Sequence, residues 1–237
     1  MAKRGKLKKI AKKEVDERPI RFRRYSYLFL IVCEDEKTEP SYFEKFKAQI
    51  PEETLYLRPV GTGRDPKGVV KKAILERDKL AKEAKKEVDA VWIVFDKDDA
   101  DENVTKIQNF EDAFTIADEE NFEVAYSNET FELWLLLHFM DVDKSVPLPR
   151  QEIYRLLKEA FQKKEGYSDY EYSHNTIDER TIEIVFNEGN QDLAIERAGI
   201  LLAYHNGKKP IEANPSTKVH LLVSELLSWI KYYAYTP

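Results

Sequence analysis

Two near-continuous apolar runs limit most strongly the folds that this chain of 237 residues can adopt. They are the segments 25–33, YSYLFLIVC, and 90–95, AVWIVF. A strand that is apolar on both faces is buried on both faces, as in a parallel sheet covered by helices. Further strand candidates at 54–60 and 122–126 alternate with helical patterns. This alternation predicts an α/β fold with a mostly parallel sheet.

Helical patterns lie between these strands and then dominate the rest of the chain. A helix is predicted to begin near Pro40, and others are predicted at 66–86 and 104–120. Beyond residue 130 we predict helices at 131–139, 151–163, 192–206 and 218–233, and we leave 166–189 unassigned. The chain is therefore divided into a basic arm at 1–24, an α/β core at 25–140 and a mainly helical part at 141–237 that packs on the core.

The charge of the chain is distributed unevenly. There are 38 Lys and Arg residues against 44 Asp and Glu residues, which gives a formal net charge of −6. The arm at 1–24 carries +8, so the remainder carries −14. A basic arm is suited to a phosphate backbone, because each phosphate contact releases condensed counterions. The alternative is a disordered, solvated terminus that only aids solubility.

Composition excludes several classes of protein. The content of 42% apolar and 35% charged residues is typical of globular chains and not of fibrous or disordered ones. Cys33 is the only cysteine, so an intramolecular disulfide is excluded and a cysteine-based zinc site is not expected. No stretch approaches the length of a membrane span, and the first residues carry no apolar secretory segment. We therefore expect a cytoplasmic protein that does not contact a membrane.

Acidic residues follow both apolar runs at the point where each strand is expected to end. If the two strands are neighbours, Glu34 faces Asp96 and Asp98 at the carboxyl edge, where parallel sheets bind ligands. Carboxylates brought this close repel one another unless a cation neutralises them. Oxygen ligands suit Mg²⁺ or Mn²⁺. Glu36 is an alternative to Glu34, since both are expected to point the same way along an extended strand.

The spacing of Asp96 and Asp98 allows them to share one metal ion or to bridge two. A two-metal site activates a water molecule and stabilises the leaving oxygen of a phosphodiester. In this interpretation Glu34 or Glu36 is a general base or metal ligand, and Lys37 stabilises the developing charge. The alternative is that the acids are ordinary loop residues. Thr38 is expected to cap the helix that follows.

Further candidates are expected at the same edge of the sheet. After the fourth strand, either Ser127 or Asn128 caps the next helix, or Glu132 is a further metal ligand and Asn128 contacts the substrate. His138 lies in an apolar helix and is expected to be a core residue.

Three cations are candidates for contact with the phosphates of a nucleic acid. They are Arg64, Lys67 and Lys218. Lys218 stands at the predicted start of the last helix, where free N–H groups favour anions, and a Ser or Thr cap is the alternative there. The chain has no phosphate-binding loop of the G-x-x-x-x-G-K-[ST] type. Aromatic residues near the C-terminus, such as Tyr232, are candidates for contact between copies in a homo-oligomer.

Four segments, in order along the chain, resemble the motifs of the RloB-like family. They are IVCEDEKTEPSYFEKF at 31–46, VFDKDDAD at 94–101, SNETFELWLLLHF at 127–139 and NPSTKVHLLVSEL at 214–226. The resemblance implies a Toprim-like fold, a mostly parallel sheet flanked by helices, here with a helical C-terminal addition. It also implies a nuclease that cuts DNA or RNA, of the kind found beside AAA-type ATPases in bacterial anti-phage defence.

The resemblance assigns acid/base chemistry or metal binding to Glu34, and Mg²⁺ binding to Asp96 and Asp98. The usual Toprim pattern has glycine after the glutamate, whereas Asp35 stands there in this chain. Asp35 is then either an extra ligand or a loop residue without a role in the chemistry. This departure leaves open a degenerate subunit that binds a partner ATPase or a nucleic acid without cleaving. A phosphoacceptor receiver fits less well, because the chain is about twice too long for one.

Overall fold

The computed structural model of the protein describes residues 24–173 and 179–235. The basic arm predicted at 1–24 therefore lies outside the described residues except for Arg24, whose guanidinium pairs with Glu53. None of the helices within these ranges is long and apolar enough to cross a membrane.

Four parallel strands form the centre of the fold. They are β1 (Tyr27–Cys33), β2 (Leu55–Gly61), β3 (Ala90–Asp96) and β4 (Glu123–Ser127). Their order in the sheet is β2-β1-β3-β4, so β1 and β3 occupy the centre and are neighbours. The predicted α/β class with a parallel sheet is confirmed. Because all four strands run the same way, their carboxyl ends meet at one edge.

Helices flank the sheet and make up most of the C-terminal half. They are α1 (Thr38–Glu44), α2 (Pro66–Ala84), α3 (Val104–Glu119), α4 (Glu132–Leu137), α5 (Arg150–Gln162), α6 (Glu179–Glu188), α7 (Gln191–Tyr204) and α8 (Val219–Tyr235). The predicted helical C-terminal addition is confirmed. The stretch 166–189, which the sequence left unassigned, contains α6.

Alternate side chains of β1 belong to two separate cores on opposite faces of the sheet. Leu28, Leu30 and Val32 pack with apolar residues of α2 and α3. The intervening residues of β1 pack with α1 and the C-terminal helices. Both sets are fully buried, which explains why β1 is apolar at nearly every position.

After its first residue, helix α4 is apolar on every face, as is typical of a helix that is buried on every face. Every side chain from Leu133 to Leu137 is fully buried against the C-terminal helices. His138 follows it and is also buried, with its Nδ1 3.0 Å from the carbonyl oxygen of Trp134. The core role predicted for His138 is confirmed, and burial lowers the pKa of its imidazole to about 4.

The segment before α8 joins the C-terminal part to the sheet at the edge of β4. The Asn128 amide donates to the Ser216 carbonyl (2.8 Å), and the Lys218 amide donates to the Tyr126 carbonyl (2.8 Å). Ser127 and Thr217 form an antiparallel bridge between these two bonds. Residues 216–218 thus pair with the outer edge of β4, which would otherwise be left without a partner strand.

Buried hydroxyl groups reinforce this junction, and their loss is expected to destabilise the protein. The Ser127 and Thr217 hydroxyl oxygens lie 3.1 Å apart, and the Thr217 oxygen also accepts from the Val219 amide. Thr217→Val removes this oxygen, and the Ser127 hydroxyl and the Val219 amide then lose a buried hydrogen-bond partner. We therefore expect the free energy of unfolding to fall by about 1–3 kcal/mol. Urea unfolding followed by circular dichroism measures this loss.

The matched control is Thr115→Val at an exposed position of α3. It is expected to change stability by less than about 0.5 kcal/mol. Equal stability of the two variants would contradict a structural role for the buried hydroxyl of Thr217.

Candidate active site

Glu34 and Asp96 meet at the carboxyl edge of the sheet, as the sequence predicts. The Glu34 amide donates to the Val94 carbonyl (2.9 Å), which continues the pairing of β1 with β3. The Glu34 Oε2 atom then accepts a hydrogen bond from the Asp96 amide (2.9 Å). Asp96 Oδ2 accepts from the Phe131 amide at 2.8 Å. The adjacency of β1 and β3 therefore places the Glu34 carboxylate against the backbone of Asp96.

Asp98 lies on a strained turn directly after β3. Its φ is +47°, and its amide donates to the carbonyl of Glu129 (3.3 Å), whose own φ is +76°. Left-handed backbone is unfavourable for residues other than glycine, and such strain is concentrated at functional sites. The turns after β3 and β4 thus hold each other in these conformations.

A cavity of about 340 Å³ opens between the turn after β3 and the first turns of α2 and α3. Glu34, Asp96 and Asp98 all line it, so three of the four predicted metal ligands face a common space. Asp65 and Lys106 are among its other lining residues.

Glu39 is a buried acid of this region that the sequence analysis did not single out. It lies in the first turn of α1 and is only 2% exposed, and its Oε2 accepts from the Asp35 amide (3.2 Å). Its charge acts on Asp96 and on Glu34. Its position could have been inferred from the sequence, because Glu39 lies in the first turn of a predicted helix that starts at the same edge of the sheet.

Burial and mutual repulsion raise the pKa values of these acids. Burial, with added repulsion from Asp98, raises the pKa of Glu34 to about 8 despite the hydrogen bond from the Asp96 amide. Burial and the neighbouring carboxylates also raise the pKa of Asp96 and of Glu39 well above their usual range. Either a proton or a cation relieves this repulsion.

Two cations accompany the acids, and neither was singled out from the sequence. Lys97 is buried and its Nζ lies 3.1 Å from Glu129 and 3.0 Å from Asp101. Arg150, the first residue of α5, places Nη2 2.9 Å from Asp98 Oδ1 and 3.2 Å from Asp99 Oδ1.

The chemistry of the acids suits Mg²⁺ or Mn²⁺, which the sequence predicts at this edge. The donors are carboxylate oxygens, and Asp96 Oδ1 is buried without a hydrogen-bond partner. No three Asp, Glu, His or Cys side chains within 24–173 and 179–235 are already arranged as a metal site. Asp98 is instead paired with Arg150. The carboxylates are therefore of the right chemical type for Mg²⁺ or Mn²⁺, but they are not arranged around one point.

Glu36 and Lys37 do not join the acids that line the cavity. Strand β1 ends at Cys33 and the chain then bends, so Glu36 does not point the same way as Glu34, and that prediction is wrong. The Glu36 carboxylate lies against Gly63, where an added Cβ would approach its Oε1 to 2.8 Å. Lys37 is exposed immediately before α1.

Asp35, and not Thr38, supplies the side chain that bonds to the first amide of helix α1. The Asp35 carboxylate accepts from the Thr38 amide (2.7 Å), while Glu39 accepts from the Asp35 amide. The residue before α1 is Lys37 and no side chain caps the helix, so the capping role predicted for Thr38 is wrong. Asp35 lies outside the left-handed region of the backbone, so its conformation does not require glycine.

Glu132 is buried at the start of α4 and does not line the cavity. Its Oε1 accepts from the Tyr172 hydroxyl (2.5 Å), and its other oxygen accepts from the Thr130 hydroxyl. Its charge still acts on Asp96 and Glu39. Both carboxylate oxygens of Glu132 are therefore bonded to hydroxyl groups within the protein, and the structure does not bring Glu132 to the cavity with Glu34, Asp96 and Asp98.

Asn128 is fully buried, so its predicted contact with substrate is wrong for this structure. Its side-chain amide donates to the Pro210 carbonyl (2.8 Å) and thereby holds the segment before α8. The predicted capping of α4 by Ser127 or Asn128 is also wrong, because the residue before α4 is Phe131 and no side chain caps the helix.

The three predicted phosphate contacts have different environments. Arg64 is exposed after β2, next to the Asp65 that caps α2. Lys67 pairs with Asp112 of α3 at 2.5 Å, which occupies its charge. Lys218 is half-buried beside β4, and the hydroxyl groups of Ser216 and Thr217 next to it are buried and bonded within the protein.

The raised pKa of Glu34 predicts that its carboxylate destabilises the metal-free protein at high pH. The folded protein releases this proton near pH 8 and the unfolded chain near pH 4.5, so stability is lost as the pH rises through this window. Glu34→Gln keeps an acceptor for the Asp96 amide without the charge. We compare the free energies of unfolding of this variant and the native protein. The difference is expected to shift in favour of the variant by about 2 kcal/mol or more when the pH is raised from 5 to 8.

Urea unfolding in a chelator at both pH values measures this gain. The control, Glu183→Gln at an exposed position of α6, is expected to have the same small effect at both pH values. A Glu34→Gln effect that does not change with pH would show that the carboxyl titrates normally.

Comparison with known protein families matches residues 29–226 to the family described as RloB-like protein. Comparisons with curated proteins and with solved structures give no significant match. The matched range covers most of the chain and includes most of β1, all of β3, the acidic edge and the segment before α8. The chain therefore belongs to the RloB-like family.

Proposed function

We propose that the protein is a nuclease that cleaves phosphodiester bonds of DNA or RNA with Mg²⁺ or Mn²⁺. The observation that carries this proposal is the convergence of Glu34 and Asp96 at the ends of two central parallel strands. Glu34 accepts from the Asp96 amide, and one buried carboxylate oxygen of Asp96 has no hydrogen-bond partner among the described residues. Membership of the RloB-like family supports the same activity through the Toprim-like character of its motifs.

Glu34, Asp96 and Asp98 are the residues that would hold the metal. A bound divalent ion would supply charge for the phosphate oxygens and a more acidic water molecule. The carboxyl of Glu34, with its pKa near 8, is suited to accept or hold a proton close to neutral pH. The Asp96 amide orients that carboxyl, and the Phe131 amide orients Asp96. Lys37 is exposed close in sequence to Glu34, which suits a contact with substrate phosphate.

The biological setting that we propose rests on the family resemblance. The RloB-like motifs support a role in bacterial anti-phage defence, in the cytoplasm and beside an AAA-type ATPase partner. The chain has no phosphate-binding loop of its own, which is consistent with an ATPase on a separate chain. Exposed aromatic residues of α8, such as Tyr232 and Tyr235, support a homo-oligomer.

Removal of the Asp96 charge is the direct test of the nuclease proposal. Asp96→Asn retains the size of the side chain and is expected to lower cleavage by about 100-fold or more, because the metal loses a ligand. The measurement is cleavage of plasmid DNA, single-stranded RNA and transfer RNA, each with Mg²⁺ and with Mn²⁺.

The matched control is Asp192→Asn in the exposed first turn of α7. It is expected to cleave at the native rate. Cleavage by Asp96→Asn at the native rate, with the protein folded, would contradict the assignment of the site.

A non-catalytic subunit is the second candidate, and the pairing of Asp98 with Arg150 favours it. Such a protein would bind a nucleic acid or the partner ATPase without cleaving. It is indicated if the native protein cleaves none of these substrates and calorimetry detects no Mn²⁺ binding.

Exposed Arg64 is expected to contact a backbone phosphate. In the Asp96→Asn protein, Arg64→Gln should weaken binding to all sequences alike and reduce the slope of log Kd against log salt by about 1. Fluorescence anisotropy with labelled DNA and RNA measures the slope. The control, Lys231→Gln, removes the same charge from an exposed position of α8. Equal slopes for the two variants would remove Arg64 from the interface.

A further inference from the structure

Arg150 reaches the turn after β3 from a distant part of the chain. Its Nη2 atom lies between carboxylate oxygens of Asp98 (2.9 Å) and Asp99 (3.2 Å). The Arg150 side chain is 20% exposed, whereas those of the two acids are more than half exposed. The guanidinium is therefore the more buried partner of these ion pairs, and the two acids lie at the exposed surface.

We propose that Arg150 is the resident cation of this site, which holds Asp98 in the metal-free protein and competes with a divalent ion for it. Once displaced from Asp98, the guanidinium binds a phosphate of the nucleic acid. This inference rests on the proposed function, because it concerns the affinity of the same site for its metal.

The distribution of the two nearby cations supports this assignment. Lys97 is committed to Glu129 and Asp101, and its buried position keeps it there. Arg150 is paired with the aspartate that the metal would use. Removal of Lys97 would disturb the turns, whereas removal of Arg150 changes the charge that faces the incoming ion.

The same pairing accounts for the separation of the predicted ligands. Glu34 and Asp96 are joined by a hydrogen bond, but Asp98 is turned to Arg150. The carboxylates of the described residues consequently do not stand together as a ready-made metal site. Release of Asp98 from Arg150 is the rearrangement that would bring the third ligand into use.

The hydrogen bonding of Arg150 is incomplete in this arrangement. Its Nε atom is buried and has no hydrogen-bond partner in the described ranges. An unsatisfied buried donor is unfavourable, and a guanidinium offers paired donors that match the oxygens of a phosphate. A phosphate at this edge would give Arg150 the acceptors that Asp98 and Asp99 do not supply.

Mn²⁺ affinity separates this role from a structural one. Free Mn²⁺ is measured by electron paramagnetic resonance during titration of the native full chain, Arg150→Gln and Arg150→Lys. We expect Arg150→Gln to bind Mn²⁺ about tenfold more tightly, because the competing positive charge is gone. Arg150→Lys retains the charge and is expected to stay within about threefold of the native affinity. Arg150→Met replaces the glutamine variant if that variant does not fold.

Cleavage at saturating Mn²⁺ tests the second half of the inference. Despite its tighter metal binding, Arg150→Gln should show at least about a tenfold lower kcat/KM, since it lacks the phosphate contact. Native cleavage by this variant would overturn the phosphate contact.

The outcomes distinguish this inference from the proposed function. Equal or weaker Mn²⁺ binding by Arg150→Gln, with the native protein binding Mn²⁺ and cleaving, overturns the role of Arg150 and leaves the nuclease proposal intact. If Arg150→Gln binds Mn²⁺ and the native protein does not, the proposed competition between Arg150 and the metal is supported directly. If no folded variant binds Mn²⁺, the metal site and the role of Arg150 both fail.

Discussion

The pairing of β1 with β3 is the constraint on which the site depends. These two central strands run parallel and end together, so the residues that follow them are forced into contact. Glu34 continues the ladder with its amide and uses its carboxylate to bind the Asp96 amide. The burial of both strands on both faces makes their position rigid, because neither can slip without exposing a core.

The same constraint creates an unfavourable concentration of negative charge. Glu34, Glu39 and Asp96 lie in surroundings that raise their pKa values, and backbone amides compensate only in part. A protein that keeps such a group must neutralise it with protons, internal cations or bound ions. Arg150 and Lys97 supply internal cations at its rim, where they pair with acids of the turns after β3 and β4. This distribution of charge is common at sites that bind a cation and a phosphate together.

Much of this arrangement was predictable from local patterns. The apolar runs predicted β1 and β3, and the acids directly after them predicted the meeting of Glu34 with Asp96. The prediction failed where a side chain's direction depends on how the chain leaves the strand. Glu36 was placed beside Glu34 on the assumption of an extended chain, but the bend after Cys33 turns it toward Gly63.

Long-range contacts account for the rest of what the sequence could not predict. Arg150 pairs with residues about fifty positions away, and the side-chain amide of Asn128 donates to a carbonyl more than eighty positions away. No local periodicity carries such information. Asn128 also shows that a polar residue at a functional edge is able to serve the architecture alone, since its amide holds the segment before α8.

We propose that Glu34, Asp96 and Asp98 form one metal site at this edge. A crystal structure of the protein soaked in Mn²⁺, with the ion located by its anomalous scattering, tests it most directly. We expect a peak bound by these three carboxylates, with Arg150 moved away from Asp98. A structure in saturating Mn²⁺ without a peak at Glu34 and Asp96, and with Arg150 still paired to Asp98, would contradict it.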